Sequence, residues 1–238
     1  MRLIFIRHGE PDYSIDSLTE KGWREAGLLA QRVKNWDITQ IYCSPCGRAR
    51  DTAADSLKAL GREAVICPWL EEFVHFVKDP VTGKYRIPWD FMPDYWTREP
   101  MMYDREAWVD APVMATGGVR QAYEEVKKGM DGLLESYGYR REGGLYLTDT
   151  GAQREAVLVF FCHLGVTMTI LSHLLGIAQP LLTHGFFLAP TSVTVLQAEE
   201  REAGKSYFRV QAMGDTNHLA AGGEPVSMAG SFAEPFQG

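Results

Sequence analysis

Apolar and polar positions along the chain follow two alternating periods. Apolar runs at 2–7, 40–43 and 64–67 read as short strands, and Ala156-Val157-Leu158-Val159-Phe160-Phe161 reads as a strand buried on both faces. Between the first two runs, Trp23, Ala26, Leu29, Ala30 and Val33 recur at helical spacing behind Thr19, with Thr19 suited to an N-cap and Glu20 to the first turn. Further helices are predicted over 47–60, ended by Gly61, over about 117–137, and from Leu164 to Leu175, stopped by Gly176. Two late strands, 191–198 and 206–213, flank the polar turn Glu200–Lys205 and read as a hairpin. Strands alternating with helices predict an α/β fold, a three-layer α/β/α sandwich around a mostly parallel central sheet.

In such sheets functional residues gather at the carboxyl ends of strands. Arg7-His8-Gly9-Glu10 stands at the end of the first strand. Imidazole is a base and a nucleophile near neutral pH, and guanidinium forks onto phosphate oxygens. The second strand leads into Ser44-Pro45-Cys46-Gly47-Arg48-Ala49-Arg50, and the third into Trp69-Leu70-Glu71-Glu72-Phe73. The long buried strand ends in Cys162-His163-Leu164-Gly165 where a helix begins, and free amides at that helix start would suit an anion. Arginines, carboxylates and two histidines thus recur at successive strand ends, where one pocket can collect them.

Composition narrows the partners. A chain of 238 residues suits one domain with an insertion, and 24 basic against 31 acidic residues leave a net charge of −7. That balance argues against general nucleic-acid binding, so an anion site must be a local arginine cluster. No apolar run approaches a membrane span, and no secretory signal opens the chain. The four cysteines (Cys43, Cys46, Cys67 and Cys162) are too few for a disulfide framework, which makes a reducing cytoplasm the expected compartment. Cys43-Ser44-Pro45-Cys46 has redox or zinc spacing but lacks a second paired element, and the structural reading is favoured. No clustered Asp/Glu/His metal motif is present, and neither metal nor cofactor is expected.

Arg7-His8-Gly9-Glu10, the Ser44–Ala49 segment, the Leu70-Glu71-Glu72 turn and Val159–His163 before a helix together make the chain similar to the histidine phosphatase superfamily, the phosphoglycerate-mutase-like family. The likeness covers residues 1 to about 72 and about 155 to 220. It implies a phosphohistidine mechanism: His8 as nucleophile, Arg7, Arg48 and His163 completing the phosphate pocket, and Glu72 as proton donor with Glu71 as its nearest rival. Such chemistry needs a neutral imidazole whose other nitrogen donates to a fixed acceptor such as a backbone carbonyl. It also needs a carboxylic acid of raised pKa, and a protonatable His163 would help spread the transferring charge.

The chain departs from that family in two places. Leu164 follows His163 where the family has glycine; it still presents a backbone N–H but crowds the approach to phosphate. A long segment, about 73–116, separates Glu72 from the next helix and holds nine aromatics between 73 and 110. It reads as a folded cap, or equally as an aromatic mini-core or dimer contact, and a homodimer is therefore among the expectations. Lys78, Lys84, Arg86, Arg98 and Arg105 within it read as a solvated face.

Other residues carry narrower expectations. Glu10 is expected to orient Arg48 or another pocket group, or else to serve the turn. His218, after the last strand, is assigned to substrate binding or to turn capping. Arg50 and His173 read as surface and structural residues, His75 as possible cap lining, and 220–238 as a flexible tail. The favoured function is a cofactor-independent phosphatase of a small phosphorylated metabolite. The alternatives are a phosphoglycerate-type mutase, disfavoured because Phe73 stands where such mutases carry arginine, and a catalytically idle phospholigand-binding protein.

Overall fold

The computed structural model describes residues 1–237. In chain order the first elements are β1 (Arg2–Arg7), β2 (Pro11–Asp12), β3 (Ser17–Leu18), α1 (Glu20–Val33), β4 (Gln40–Cys43), α2 (Gly47–Leu60) and β5 (Val65–Ile66). The middle segment holds β6 (Val77–Lys78), β7 (Tyr85–Arg86), α3 (Pro93–Trp96) and three short 3-10 turns. Then come α4 (Val119–Ser136), β8 (Tyr139–Glu142), β9 (Leu145–Thr148), β10 (Val157–Cys162) and α5 (Leu164–Leu175). The chain closes with α6 (Gln179–Gly185), β11 (Val193–Glu202), β12 (Lys205–Asp215) and α7 (Asn217–Gly222). Among the described residues, no helix is long and apolar enough to cross a membrane.

Eight strands form one sheet in the order β5-β4-β10-β1-β11-β12-β9-β8. Side chains of β1 and β10 divide between its faces because successive strand residues point opposite ways. Leu3, Phe5, Leu158 and Phe160 join the core on the α4–α5 side, while Ile4, Ile6, Val159 and Phe161 pack with Leu29 and Val33 of α1. Phe5 stacks on Phe160 at 4.7 Å between ring centroids. The three layers match the expected sandwich, and full burial of β10 explains its unbroken apolar run.

The sheet is mixed where the sequence reading has it mostly parallel. β5, β4, β10 and β1 run parallel, whereas β11, β12, β9 and β8 continue from β1 as antiparallel neighbours. The hairpin of β8 and β9 escapes the sequence reading because Tyr139-Arg140-Arg141-Glu142 is mostly polar. β5 shrinks to two residues at the sheet edge, both exposed.

Helix α1 begins as expected, with Thr19 Oγ1 accepting from Gly22 N. Its buried stripe keeps Ala26, Leu29, Ala30 and Val33 as read in the sequence, but Trp23 is exposed, while Glu25 is fully buried and accepts from Glu10 N at 2.8 Å. Hydrophobicity alone misses that edge of the face because the buried carboxylate caps a loop amide. The aromatic segment is folded. Phe73 and Trp108 are fully buried, and Trp108 meets Tyr123 of α4 edge-on at 5.1 Å, whereas Phe76 and Tyr85 stay exposed.

Candidate active site

β1 and β10 are parallel neighbours with Arg7 opposite Cys162, so the next residues, His8 and His163, leave the sheet side by side. His8 N donates to Cys162 O at 2.9 Å, and the two imidazole centroids lie 5.2 Å apart. Both rings are buried. His8 Nδ1 lies 2.7 Å from Gly9 O. A carbonyl can only accept, so Nδ1 carries the proton and Nε2 keeps its lone pair. Burial, then the Arg7 charge, pushes the His8 pKa down to about 3, which leaves the ring neutral at ordinary pH.

His163 Nε2 lies 2.8 Å from Ser44 Oγ, which reaches the same place because Ser44 follows β4 and its N donates to Phe161 O. Burial, with His8, Arg48 and Arg7 around it, holds His163 well below its usual range. The expectation of a protonatable His163 is thus altered: in this setting it is a neutral ring.

The two arginines are already oriented by protein oxygens. Arg7 donates from Nη1 to Leu188 O at 2.5 Å and from Nη2 to Ala229 O at 3.0 Å. Arg48, in the first turn of α2, donates from Nη1 to Asp16 Oδ1 at 2.5 Å and lies 5.5 Å from the Tyr13 ring centroid. Asp16 Oδ2 in turn accepts from Gly47 N at 2.6 Å. Arg7 Nε, Arg48 Nε and His163 Nδ1 are buried without a hydrogen-bond partner among the described residues. Each buried unsatisfied donor costs about 1–3 kcal/mol, so the cluster favours an acceptor-rich anion.

Glu72 closes the cluster. Its Oε1 accepts from Phe73 N at 2.8 Å and Val166 N at 3.0 Å. Burial raises its pKa, outweighing those hydrogen bonds and the Arg7 charge. This arrangement corrects one expectation: the amides at the start of α5 hold a carboxyl group rather than standing free for an anion. Gly165 makes the approach feasible, because a Cβ there would fall 2.7 Å from Glu72 Oε1 and 2.3 Å from Trp89 Cη2. Glu71 is exposed, so between the two glutamates only Glu72 belongs to the cluster.

Arg7, His8, Arg48, Glu72 and His163 therefore come together. The remaining predicted residues lie around them. Glu10 does not reach Arg48; its oxygens accept from Thr19 Oγ1 and Ser227 Oγ. Leu164 lines an adjacent cavity with Trp89 and Phe187. His218 sits behind the site, with Nε2 3.0 Å from Thr191 Oγ1, while Thr191 N donates to the carbonyls of Arg7 and His8. Burial lowers the His218 pKa to about 4. Arg50 is exposed, His173 pairs with Asp131 at 2.8 Å, and His75 packs edge-on against Phe73. The cysteines are all free, and burial pushes the Cys43 thiol up to about 12.

Three contributors were not foreseen. Asp16 had a weak signal, an acid in the polar loop before Thr19. Ser44 was inside a recognised motif but was assigned no role. The carbonyls of Leu188 and Ala229 carry no side-chain signal at all. The segment after α7 has irregular backbone, as a tail would, yet it is strapped across the site. Glu224 pairs with Lys21 at 2.7 Å and Arg24 at 2.9 Å, and Ser227 reaches Glu10.

Comparison with known proteins fits this geometry. Residues 3–79 match the family model of the histidine phosphatase superfamily (branch 1). The "Probable phosphoglycerate mutase GpmB" of Photorhabdus laumondii is 38% identical over 81 residues, which cover 30% of this chain and 38% of that protein. A "Probable phosphatase" of Schizosaccharomyces pombe is 42% identical over 67 residues, 24% of this chain and 32% of that protein. The matches thus span little more than a third of these relatives' length. Among solved structures, mycobacterial glucosyl-3-phosphoglycerate phosphatase aligns with TM-score 0.59 and 18% identity, covering 90% of this chain and 98% of that one. Phosphoserine phosphatase from Entamoeba histolytica, solved with phosphoserine, aligns with TM-score 0.59 and 21% identity over 92% of this chain and 98% of that one. Residues 3–79 are thus similar in sequence to the histidine phosphatase superfamily, and the chain as a whole shares the fold of these structures.

Proposed function

We propose that the protein is a phosphoric monoester hydrolase that works through a phosphohistidine on His8. The observation that carries this reading is the His8 ring, held neutral with Nδ1 on the Gly9 carbonyl and Nε2 free, between two arginines and beside the half-buried Glu72 carboxyl group. His8 Nε2 attacks phosphorus, the ester oxygen leaves, and Glu72 gives that oxygen its proton. Water then attacks the phosphoimidazole while the Glu72 carboxylate takes the water's proton, and inorganic phosphate departs from a regenerated His8. Arg7 and Arg48 spread the charge of the transferring group, and their pre-set orientation avoids reorganisation during the step. The 73–116 segment serves as the cap over these residues.

Hydrolysis is favoured over phosphoryl transfer between hydroxyls because the residue after Glu72 is Phe73, buried in the core, and adds no cation to grip a second anionic group. The test is a panel of phosphorylated metabolites assayed for both phosphate release and isomer formation, with His8→Ala alongside. Phosphate release without isomer, an acid-labile phosphoenzyme and loss of both in His8→Ala are expected. Activity unchanged in His8→Ala would overturn the mechanism, and isomer formation would favour the mutase.

A further inference from the structure

A cavity of about 540 Å³ opens between residues 86–92, the start of α5, the end of α6 and the C-terminal strap. Its inner wall is built of residues that touch the catalytic cluster. Trp89 shares with Glu72 the close approach to Gly165. The Phe187 centroid lies 5.7 Å from Arg7 Cζ. Gly230, at φ +85°, is so near Arg7 that a Cβ there would fall 3.0 Å from Nη2. On the hydrolase reading, the alcohol esterified to a phosphate held by Arg7 would extend into this space. A larger cavity of about 700 Å³ is lined by Met1, Arg2 and Val157, at the opposite end of β1 and β10 from His8 and His163.

The cavity's charge is already settled internally. Its one cation, Arg86, pairs with Asp79 at 2.7 Å, donates to Asp90 O at 2.5 Å and lies 5.5 Å from the Phe91 ring centroid. Asp90 also lines the space, and His184 donates from Nδ1 to Pro180 O at 2.8 Å while stacking on Trp96 at 4.9 Å. No unpaired positive charge faces inward among the described residues, and a leaving group with its own carboxylate would meet Asp90 without a counterion. Apart from Thr183 and Ser231, the rest of the wall is mainly apolar: Trp89, Phe91, Leu164, Phe186, Phe187 and Phe232. Its size falls within the roughly 300–1,000 Å³ typical of pockets that enclose a ring-bearing ligand.

We infer that this cavity selects phosphomonoesters whose alcohol carries an uncharged, ring-sized apolar group, in preference to small carboxylate-bearing metabolites. The inference rests on the hydrolase reading above, and aromatic stacking with apolar burial supplies the discrimination.

The experiment compares kcat/KM for 2-phenylethyl phosphate, glycerol phosphate, 3-phosphoglycerate and phosphoserine, all esters of alkanols, so that leaving-group acidity is similar. The phenylethyl ester is expected to exceed each of the others by about tenfold or more. Equal or faster turnover of 3-phosphoglycerate or phosphoserine overturns the inference and leaves the hydrolase reading standing. If none of the esters is hydrolysed, the hydrolase reading falls and the inference with it. Met92 lines the cavity and is 70% exposed, so Met92→Lys can add a cation without disturbing the core. It is expected to shift the ratio of 3-phosphoglycerate to phenylethyl phosphate at least about fivefold toward the carboxylate; an unmoved ratio in a folded variant counts against the inference.

Discussion

The strand ends and the segments that cover them are built on different principles. His8, Ser44 and His163 issue from adjacent parallel strands whose register is locked by the sheet, so their mutual positions follow from backbone pairing. The cover, 73–116 together with the strap after α7, is made of short turns and irregular chain held by side-chain packing and a few ion pairs. On the proposed reading, the first region sets which bond is broken and the second which molecule is admitted. Variants in the two regions should therefore separate in kind: strand-end changes lower kcat, and cover changes move KM or selectivity.

After the loss expected in His8→Ala, the largest effect expected is at Glu72. Glu72→Gln should lower kcat on alkyl phosphates by about 10³-fold, whereas exposed Glu71→Gln should stay within about twofold. The loss should shrink for phenolic esters, which need less protonation of the leaving oxygen. Because burial raises the Glu72 pKa, wild-type activity on alkyl esters should decline as pH rises through that value, and Glu72→Gln should remove this limb. Comparable rates for the two glutamine variants would break the assignment.

Next comes the acid side of stability. His8 titrates near 3 when folded against 6.5 when free, so below pH 6.5 the unfolded chain takes up a proton that the folded chain refuses. Stability present above that pH is lost as pH falls, by about 2 kcal/mol for this one ring at pH 5, and His163 acts in the same direction. Thermal melts at pH 7 and pH 5 should show the drop, and His8→Asn should flatten it. An equally steep fall in the variant would contradict a neutral buried His8.

In the cover, Gly230→Ala tests the strap. The methyl group meets Arg7 Nη2 and the backbone is left-handed, so KM should rise about fivefold with kcat nearly unchanged. A fall in kcat alone would erase the distinction between the two regions. The smallest effect expected is at Thr19, which touches Glu10 but none of the clustered arginines and histidines: Thr19→Ala removes the α1 cap and should cost about 1 kcal/mol in chemical denaturation with little change in kcat.

The same division explains what could be read from sequence. Arg7, His8, Arg48 and His163 sit in short contiguous motifs at the ends of apolar runs, and strand register brings them together. Choosing Glu72 over Glu71 needed the family likeness, because adjacent carboxylates are indistinguishable by spacing; burial separates them. The second half of the sheet was misjudged because β8 is largely polar and β11 and β12 extend past their apolar cores. Glu25 went unnoticed because a buried acid inverts the usual helical stripe. The strap was illegible for a simpler reason: what touches Arg7 is the carbonyl of Ala229, an atom every residue has.

That contact also bears on how the protein is made. Arg7 and Ala229 are 222 positions apart, and at about 5–20 residues per second the ribosome needs roughly 10–45 s to get from one to the other. Throughout that interval the nascent chain carries Arg7 and His8 without the carbonyl that orients the arginine. If the protein is the hydrolase proposed, its selectivity is among the last properties the polypeptide acquires, well after its parallel strands have been synthesised.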